Sequence, residues 1–373
     1  MHSIKKIFIS HGWLKVGVNV QTMSVAEKLA EKFDVTFLSQ PRIGQPEIKI
    51  NNHLKVIEWP SRSPKKLKDF IFLFKNIRKE KPEVIIAHFS ATNLCMAVSW
   101  LMRVPNRITW LHTLSEQYYS DSTNKRNAKK SIYFRKLAYV FATHIICLNG
   151  YAKNDAIKNF KIKPNKISII YNGIKQYGLP LLYENRIKSL RYSGRLAKSK
   201  GIDILLDAFA IVYKTNKNVI LEIAGQGKEE EEYLKNFIQK EGLENAIVFR
   251  GYFSDYNKAV NFISGAYCLL LPSRSDNFPT VVLEAFSYGI PVIASHTGGI
   301  PEMFENEKEG FLVPKENVQA LAEAMQKLIS NENLRNEMSI QARNTFLRKY
   351  SMERHVAHVL EFIEQLNQPP GTK

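Results

Sequence analysis

A chain of 373 residues is too long for one ordinary hydrophobic core, and two domains are expected. With 45% hydrophobic and 24% charged residues the sequence is typical of a folded globular protein, and no uninterrupted apolar run approaches the roughly eighteen residues that span a bilayer. The formal net charge of +18 lies entirely in the first half. Residues 1–172 carry 29 Lys and Arg against 11 Asp and Glu, while residues 173–373 carry 24 of each. This asymmetry indicates that the first half faces an anionic partner, such as a membrane leaflet, a lipid-linked phosphate or a nucleic acid.

Short apolar runs alternate with amphipathic stretches in the first half, a pattern typical of a doubly wound parallel sheet. Strands are predicted at residues 7–10, 35–39, 54–59, 84–88, 108–112, 145–148 and 167–170. Helices are predicted at residues 22–32, 64–79 and 93–102. The turn at Asn172-Gly173 is expected to end the first domain.

The same alternation begins again in the second half. Strands are predicted at residues 190–193, 219–224, 247–250, 268–271 and 292–295. Helices are predicted at residues 201–213, 229–239, 257–263, 280–288, 318–329 and 332–349. The predicted fold class is therefore α/β, with two Rossmann-like domains facing a central crevice that would hold the ligands.

Three histidines of the first half, His11, His88 and His112, each end or follow a predicted strand. Folds of this class place reactive groups at the carboxyl ends of parallel strands, so this placement indicates a site. A satisfied structural role is the alternative for His11 and His88. Near Gly194, between a strand and a helix, Arg195 offers a rigid fork of hydrogen-bond donors and Lys200 a point charge.

Two strand ends and one helix start meet within residues 268–302. Free N–H groups at a helix start favour phosphate. Asp276 precedes this helix and Glu284 lies inside it. A carboxylate beside a phosphate is stable where it accepts hydrogen bonds from hydroxyl groups, and sugars present many of these. The local chemistry therefore predicts a nucleotide-sugar site.

This stretch resembles the signature of retaining glycosyltransferases of family four, which have the GT-B fold. In that signature an acid, seven residues and a second acid are followed by Ala, by Gly-x-Pro-Val and by Gly-Gly-x-x-Glu. The chain has Asp276, seven residues, and then Glu284-Ala285, Gly289-Ile290-Pro291-Val292 and Gly298-Gly299-Ile300-Pro301-Glu302. Asp276 departs from the family's usual Glu and is one methylene shorter.

The resemblance implies roles for the residues that match the family's motifs. Arg195 and Lys200 match two phosphate-binding cations, Asp276 would contact the sugar, and His112 matches a histidine that approaches it; these four are the predicted catalytic residues. Glu284 would hold the ribose hydroxyls. Further donor contacts are assigned to the backbone of Phe278, Pro279, Thr280, Val281 and Val282, and to Arg250 and Tyr252 beside the base.

Acceptor binding is predicted at His11 and His88 and in the loop after the first strand. Many relatives have a Gly-Gly pair in this loop. Residues 12–19 of this chain read Gly-Trp-Leu-Lys-Val-Gly-Val-Asn, so the pair is absent and Gly17 takes the position of one glycine.

The predicted function is retaining transfer of a hexosyl or N-acetylhexosaminyl group from a nucleoside-diphosphate sugar, UDP favoured and GDP next. The acceptor would be a hydroxyl of a glycan or of a polyprenyl-diphosphate-linked molecule, in cell-surface polysaccharide assembly. Residues 1–172 would bind the acceptor and residues 173–349 the nucleotide-sugar. A helix in residues 350–373 would cross back to the first domain, before a disordered tail. No metal or other cofactor is expected.

Two other classes of function remain open. The first is a non-catalytic subunit that binds a sugar nucleotide or docks on a membrane. The second is an RNA-binding protein that uses its basic half, although no RNA- or DNA-binding motif accompanies the charge.

The protein is expected to be cytoplasmic, and peripheral on the inner face of the membrane. Cys95, Cys147 and Cys268 lack metal-ligand spacing and are predicted to be buried thiols. Residues 65–81 are a candidate membrane-facing helix, although a helix that covers a sheet would show the same apolar stripe. The second basic run, residues 125–136, contains Tyr133 and Phe134 and favours the membrane. The stripe of the first run consists of Leu67, Phe70, Ile71, Phe74 and Ile77.

Overall fold

The computed structural model of the protein describes residues 4–11, 18–40, 51–120, 124–178 and 188–367. These residues divide into two compact units. The N-terminal unit lies within residues 1–173 and 352–373, and the C-terminal unit within residues 174–351. The predicted boundaries after residues 172 and 349 lie within two residues of this division. Gly17 and the predicted tail 368–373 lie outside the described residues.

The N-terminal unit is built on a sheet of seven parallel strands in the order β3-β2-β1-β4-β5-β6-β7. Most of its strand residues are buried, as expected of a parallel sheet that helices cover on both faces. The strands are β1 (Lys6–His11), β2 (Asp34–Ser39), β3 (Leu54–Glu58), β4 (Val84–Ala87), β5 (Asn106–Leu111), β6 (His144–Cys147) and β7 (Ile167–Ile169).

The helices of this unit connect successive strands, and a last one comes from the end of the chain. They are α1 (Val18–Leu29), α2 (Leu67–Glu80), α3 (Thr92–Leu101), α4 (Ser115–Ser120), α5 (Lys125–Phe141) and α6 (Gly150–Lys158). The last helix, α13 (Met352–Gln365), packs against α1. Beside this contact, Lys32 Nζ lies 2.6 Å from a carboxylate oxygen of Glu364.

Helix α2 carries the apolar stripe of residues 67–77 that was a candidate membrane face, and most of this stripe packs against the sheet. Ile77 is buried, and Phe70 and Phe74 pack against the core. Leu67 and Ile71, by contrast, are exposed. The sheet-covering alternative therefore holds for Phe70, Phe74 and Ile77, because their apolar surface is already covered within the unit.

The C-terminal unit repeats the plan with six parallel strands in the order β10-β9-β8-β11-β12-β13. The strands are β8 (Lys188–Ser193), β9 (Val219–Ala224), β10 (Ile247–Gly251), β11 (Cys268–Leu271), β12 (Val292–Ser295) and β13 (Gly310–Val313). The helices are α7 (Ile202–Thr215), α8 (Lys228–Glu241), α9 (Tyr256–Ser264), α10 (Thr280–Ser287), α11 (Val318–Ser330) and α12 (Glu332–Thr345). Strand β13 and helices α4, α5 and α6 were not predicted.

Each sheet has a switch point. On one side of it successive strands are added in one direction, and the next strand in the chain then pairs on the opposite side of the first strand. The switch point lies between β1 and β4 in the N-terminal sheet and between β8 and β11 in the C-terminal sheet. Ligands of open α/β sheets bind beyond the carboxyl ends of the strands at such points. His11 ends β1 and His88 follows β4, while Arg195 follows β8 and Asp276 follows β11.

The three cysteines are buried free thiols, which confirms the prediction. None of the helices in the described part of the chain combines the length and apolar composition that a membrane span requires.

Candidate active site

A cleft of about 260 Å³ opens at the switch point of the C-terminal sheet. Seven of the residues singled out in the sequence lie on its walls, although they come from two separate segments of the chain, the connection from β8 to α7 and the segment that follows β11 into α10. The walls are formed by Tyr192, Ser193, Gly194, Arg195, Lys200, Leu271, Asp276, Pro279, Thr280, Val281 and Glu284.

Arg195 and Lys200 reach the cleft from the connection between β8 and α7. Lys200 ends a 3-10 turn, Lys198–Lys200, and Gly201 follows it with a φ of +69°. A Cβ at Gly201 would lie 2.1 Å from the carbonyl oxygen of Pro272. Glycine therefore allows the cationic turn to pack directly against the loop that follows β11.

Arg274, in the loop after β11, hydrogen-bonds to the cationic turn and to the start of α7. Its N–H donates to the carbonyl of Ser199 at 2.8 Å, and its guanidinium donates to the carbonyl of Lys198 at 2.8 Å. The same guanidinium forms a fork with both carboxylate oxygens of Asp203, at 2.8 and 2.6 Å. This planar pairing holds the cationic turn in one orientation.

Lys200 and Asp276 form an ion pair inside the cleft, with 2.5 Å between Nζ and Oδ2. Their side chains are only 13% and 12% exposed, so water screens the pair weakly. The sequence predicted each residue as a ligand contact but did not predict that they pair with each other. A phosphate that enters the cleft meets a lysine already oriented by a carboxylate.

The Gly-Gly pair of the signature holds the main chain of Asp276. Gly298 has a φ of +55°, and a Cβ on it would lie 1.9 Å from the carbonyl oxygen of Asp276. The N–H of Gly299 donates to that same carbonyl at 3.0 Å. The backbone of the Gly-Gly pair therefore holds the Asp276 main chain in place. Only glycine permits so close an approach, because it has no Cβ.

Helix α10 points its first turn into the cleft. Pro279 occupies the cap position, no side chain in the described part of the chain caps the helix, and no acid lies in its first turn. Pro279, Thr280 and Val281 line the cleft. The partial positive charge of this helix start thus adds to the charges of Arg195 and Lys200, and the three together favour an anion.

Glu284 is a buried carboxyl group on the wall formed by α10. Burial raises the pKa of Glu284 to about 7. Hydrogen bonds from Tyr256 and Thr280 favour the charged form and oppose this rise. The Tyr256 hydroxyl donates to Oε1 of Glu284 at 2.9 Å. A ligand hydroxyl that donates to this carboxylate would replace part of the hydration that burial has removed.

An aromatic cluster behind Glu284 was not predicted. The ring of Tyr177 lies 6.2 Å from that of Tyr256 and 6.3 Å from that of Tyr288, measured between centroids. Tyr177 also hydrogen-bonds to Tyr256. The sequence offers no motif that links these three tyrosines, because they belong to distant segments that only the fold brings together.

Four of the predicted donor contacts do not have side chains on the walls of the cleft. Phe278 is buried and its ring lies 5.8 Å from that of Tyr350, and Val282 is fully buried. Arg250 pairs with the buried Glu222, its Nε lying 2.8 Å from Oε1. Tyr252 is 56% exposed. For Phe278 and Val282, the predicted ligand contacts are those of the backbone, not of the side chains.

His11, His88 and His112 meet at the switch point of the N-terminal sheet. The His11 and His88 rings lie edge to face at 4.7 Å, and His88 Nδ1 lies 3.1 Å from His112 Nε2. Trp110 stacks on His88 at 4.6 Å and Phe89 stacks on His112 at 4.1 Å. Their placement after strands indicated a site; the structure adds that the three side chains contact one another.

Burial lowers the pKa of His88 and of His112 well below the usual value, and the neighbouring His11 lowers both further. Both rings are therefore neutral at pH 7, and each offers one donor and one acceptor nitrogen. His11 and His88 also line a cavity of about 260 Å³, together with Asn19, Gln40 and Trp59. Such a cavity suits a ligand rich in hydroxyl groups.

Phe89 follows His88 with a φ of +48°, a conformation that bulky residues rarely adopt. Arg135 of α5 donates from both terminal nitrogens to the Phe89 carbonyl, at 3.1 and 3.2 Å. Strain of this kind occurs where the surrounding structure over-determines the backbone, often at ligand sites. No sequence pattern predicted this conformation.

Within the described ranges, no three His, Cys, Asp or Glu side chains come together as metal ligands. The cations of the cleft are those of Arg195 and Lys200.

The arrangement of the chain matches a known class of solved structures. The Anabaena protein HepE, solved in complex with UDP and glucose, superposes with a TM-score of 0.78 over 97% of this chain and 99% of that chain, at 16% identity. Together with the two parallel sheets, this likeness shows a fold of two Rossmann-like domains of the GT-B type. The predicted fold class is confirmed.

Comparison with known sequences establishes the family. The family model described as Glycosyl transferases group 1 matches residues 183–345, and that of Glycosyltransferase Family 4 matches residues 16–176. An uncharacterized glycosyltransferase of Methanocaldococcus jannaschii is 30% identical over 292 residues, 78% of each chain. A protein of Escherichia coli, the UDP-Gal:alpha-D-GlcNAc-diphosphoundecaprenol alpha-1,3-galactosyltransferase, is 25% identical over 311 residues, again 78% of each chain. The chain belongs to the group 1 glycosyltransferases, as its signature predicted.

Proposed function

We propose that the protein transfers a sugar from a UDP-sugar to a hydroxyl of a lipid-linked glycan, with retention of the anomeric configuration. The observation that carries this proposal is the cleft whose walls bring together Arg195, Lys200 and the start of α10 with Asp276 and Glu284. Cations and helix N–H groups suit a diphosphate, and the two acids suit the hydroxyls of a sugar and a ribose.

Two relatives favour UDP as the nucleotide. The Anabaena structure contains UDP and glucose, and the name of the Escherichia coli relative specifies a UDP-sugar. GDP-sugars are the next choice. The transferred group would be a hexosyl or N-acetylhexosaminyl group.

In the proposed reaction the bond between the anomeric carbon and the diphosphate oxygen breaks, and its electron pair leaves with the diphosphate. Arg195, Lys200 and the N–H groups of α10 would stabilise the negative charge that develops. The acceptor oxygen forms its bond on the same face, and its proton passes to the departing phosphate oxygen. We propose no bound metal in this step, because the cations of the chain supply the neutralising charge.

The two acids and His112 would orient the donor. Asp276 would accept hydrogen bonds from the sugar and Glu284 from the ribose. Neutral His112, linked to His88, would offer a hydrogen bond to the sugar as positive charge develops at its anomeric carbon. We assign acceptor contacts to the cavity beside His11 and His88.

The acceptor class follows from the relative's name and from the charge of the first half. The Escherichia coli relative acts, by its name, on GlcNAc-diphosphoundecaprenol. An anionic acceptor of this class would be attracted by the +18 charge of residues 1–172. Addition of a sugar to a lipid-linked sugar extends a glycan chain, which is the chemistry of cell-surface polysaccharide assembly.

The proposal is tested by incubating the protein with UDP-glucose, UDP-galactose, UDP-GlcNAc and GDP-mannose, each with GlcNAc-diphosphoundecaprenol. NMR of the product then gives the anomeric configuration. An α-linked product from one α-linked donor, lost in Glu284→Ala, is expected. A β-linked product would overturn retention. Donor binding without transfer to any glycan acceptor would favour the non-catalytic alternative.

A further inference from the structure

The outer side of helix α5 is cationic at its start and apolar at its end. Three cations and three apolar residues recur every three or four positions along this side, and all six are exposed. Tyr133, Leu137 and Val140 are 61%, 38% and 65% exposed. Only Ala128, Ala138 and Tyr139 of this helix are buried. We call the outward stripe the α5 face; it consists of Arg126, Lys129, Lys130, Tyr133, Leu137 and Val140.

The apolar half of the α5 face continues onto the end of α3. Trp100 and Leu101 are 52% and 54% exposed, and the Trp100 ring lies 4.8 Å from that of Phe141. Aromatic and aliphatic side chains therefore share one exposed patch, and the described residues of the unit do not cover it. An apolar patch of this kind on a charged surface marks an interaction site.

The charge of α5 narrows the choice of partner. The helix carries six Lys and Arg and no Asp or Glu. A second copy docked through the same face would place cations against cations, so self-association is disfavoured. Nucleic acid would satisfy the cations, but it would leave the aliphatic Leu137 and Val140 without a partner. An anionic bilayer satisfies both halves, since headgroups attract Lys and Arg while apolar side chains enter the headgroup–acyl boundary.

We propose that the α5 face docks the protein on an anionic membrane surface. Leu137, Val140 and Trp100 would enter the interface, and Lys129 and Lys130 would contact the lipid phosphates. This surface overlaps the basic run at residues 125–136 that the sequence suggested. It differs from the stripe on α2, most of which packs against the core.

A groove lies between α5 and the histidine cavity. Phe134 and Arg135 of α5 line a groove of about 670 Å³, together with Lys65, Leu94 and Ala97. The groove and the histidine cavity share Pro64 and Ser90 in their walls. A membrane held against α5 thus lies beside a groove that adjoins the cavity of His11 and His88, and this groove would be the path of a lipid-linked acceptor. The use of this path by a lipid-linked acceptor rests on the proposed function, whereas docking itself does not.

The test is flotation of the full chain with vesicles of phosphatidylcholine alone and of phosphatidylcholine with 30 mol% phosphatidylglycerol, in about 0.1 M salt. Binding to the anionic vesicles only, and its loss at high salt, is expected. Lys129→Glu with Lys130→Glu should lower the partition coefficient at least about tenfold. Leu137→Gln with Val140→Gln should lower it by about tenfold, through the loss of apolar burial.

Matched controls come from exposed residues of the C-terminal unit. Lys214→Glu with Lys235→Glu changes the net charge equally, and Ile340→Gln with Leu347→Gln removes two exposed apolar side chains. Neither control should alter flotation. Transfer to a short-chain, water-soluble acceptor should be unchanged in the α5 variants, so failure of docking and failure of transfer are distinguishable.

Three outcomes would overturn the proposal. The first is no binding to anionic vesicles, and the second is binding that the α5 substitutions leave unchanged. The third is absence of vesicle binding together with RNA binding or dimerisation that the same substitutions abolish, which would assign the α5 face to another partner.

Discussion

Lys200 and Asp276 stand 76 residues apart in the chain, yet Nζ and Oδ2 lie 2.5 Å apart within the cleft. The pair joins the cationic turn after β8 to the acidic loop after β11, at the switch point of the sheet. In the proposed reaction these side chains bind different parts of one donor, the diphosphate and the sugar. The ion pair therefore holds both groups near their working positions before the donor arrives, which reduces the reorganisation that binding requires.

Replacement of Lys200 by Met should lower kcat about 100- to 1,000-fold, because a cation opposite the leaving diphosphate is lost. The variant should also be less stable by about 3 kcal/mol, since Asp276 remains as an uncompensated buried charge. Transfer rates and thermal unfolding measure the two effects.

A double variant separates these two effects. Lys200→Met with Asp276→Asn should regain most of the stability and none of the transfer. Lys198→Met, an exposed lysine in the same turn, should change neither quantity. Normal transfer by Lys200→Met would remove Lys200 from the proposed mechanism.

The raised pKa of Glu284 predicts a pH dependence of stability. The carboxyl titrates near 4.5 in the unfolded chain and near 7 in the folded protein, so the folded state binds the proton more tightly. The contribution of this group to stability is complete below pH 4.5 and is lost as the pH rises through 7, by about 3 kcal/mol. Glu284→Gln lacks this titration. The free energy of unfolding of the variant should rise relative to wild type between pH 5 and pH 8; a constant difference would contradict the assignment.

The same group predicts that donor affinity increases with pH. Ribose hydroxyls donate to the ionised carboxylate, so a nucleotide-sugar should bind more tightly at pH 8 than at pH 6, and Glu284→Gln should remove this dependence. Calorimetry should use an intact nucleotide-sugar, because the terminal phosphate of a free nucleoside diphosphate itself titrates near pH 6. A wild-type Kd that does not change over this range would contradict the proposed role.

Tyr256→Phe should weaken donor binding by acting on Glu284. The variant removes the hydroxyl that donates to Oε1 at 2.9 Å, so the carboxylate should ionise at higher pH. We expect the pH dependence of nucleotide-sugar affinity to move up by about one unit, and the affinity at pH 7 to fall several-fold. The exposed Tyr233 provides the control, since Tyr233→Phe should leave the profile unchanged. Weaker binding without a shifted profile would indicate a merely structural role for Tyr256.

Gly298→Ala should disturb the Asp276 loop. The new Cβ would lie 1.9 Å from the Asp276 carbonyl oxygen, and the residue has a φ of +55°. Gly242 has a similar φ of +63°, with no atom within 4 Å of its Cβ position, so Gly242→Ala measures the backbone strain alone. We expect Gly242→Ala to cost about 1 kcal/mol and Gly298→Ala clearly more, with weaker donor binding in the second variant only. Equal losses of thermal stability and unchanged donor binding in both would show that the close approach is unimportant.

The sequence indicates which residues lie near one another in the cleft where one short segment sets the geometry. Asp276, Glu284 and the start of α10 are tied together by one strand, one loop and one helix, so their spacing already constrains their positions. The contact of Tyr256 with Glu284 crosses from α9 to α10 and leaves no comparable pattern. Likewise, each member of the Lys200–Asp276 pair was predicted, but their contact depends on how two loops pack.

The elements that were missed have identifiable causes. Strand β13 has only four residues and begins with Gly310, which weakens a strand pattern. Glycine is required there because a Cβ would lie 1.9 Å from the carbonyl oxygen of Val292 on the neighbouring strand. Helix α5 shows no clear core stripe, because much of its apolar surface faces outwards. A periodic pattern reveals a helix most readily when its apolar side is the buried one.

The most direct test of donor binding in the cleft is thermal unfolding with UDP, GDP, ADP and dTDP, each with and without EDTA. A nucleotide at a hundred times its Kd should stabilise the protein by about 2.7 kcal/mol. We predict selective stabilisation by UDP that EDTA does not reduce and that Glu284→Gln and Lys200→Met diminish. Absence of a response to every nucleotide, or an equal response in these variants, would contradict the assignment of the cleft as the donor site.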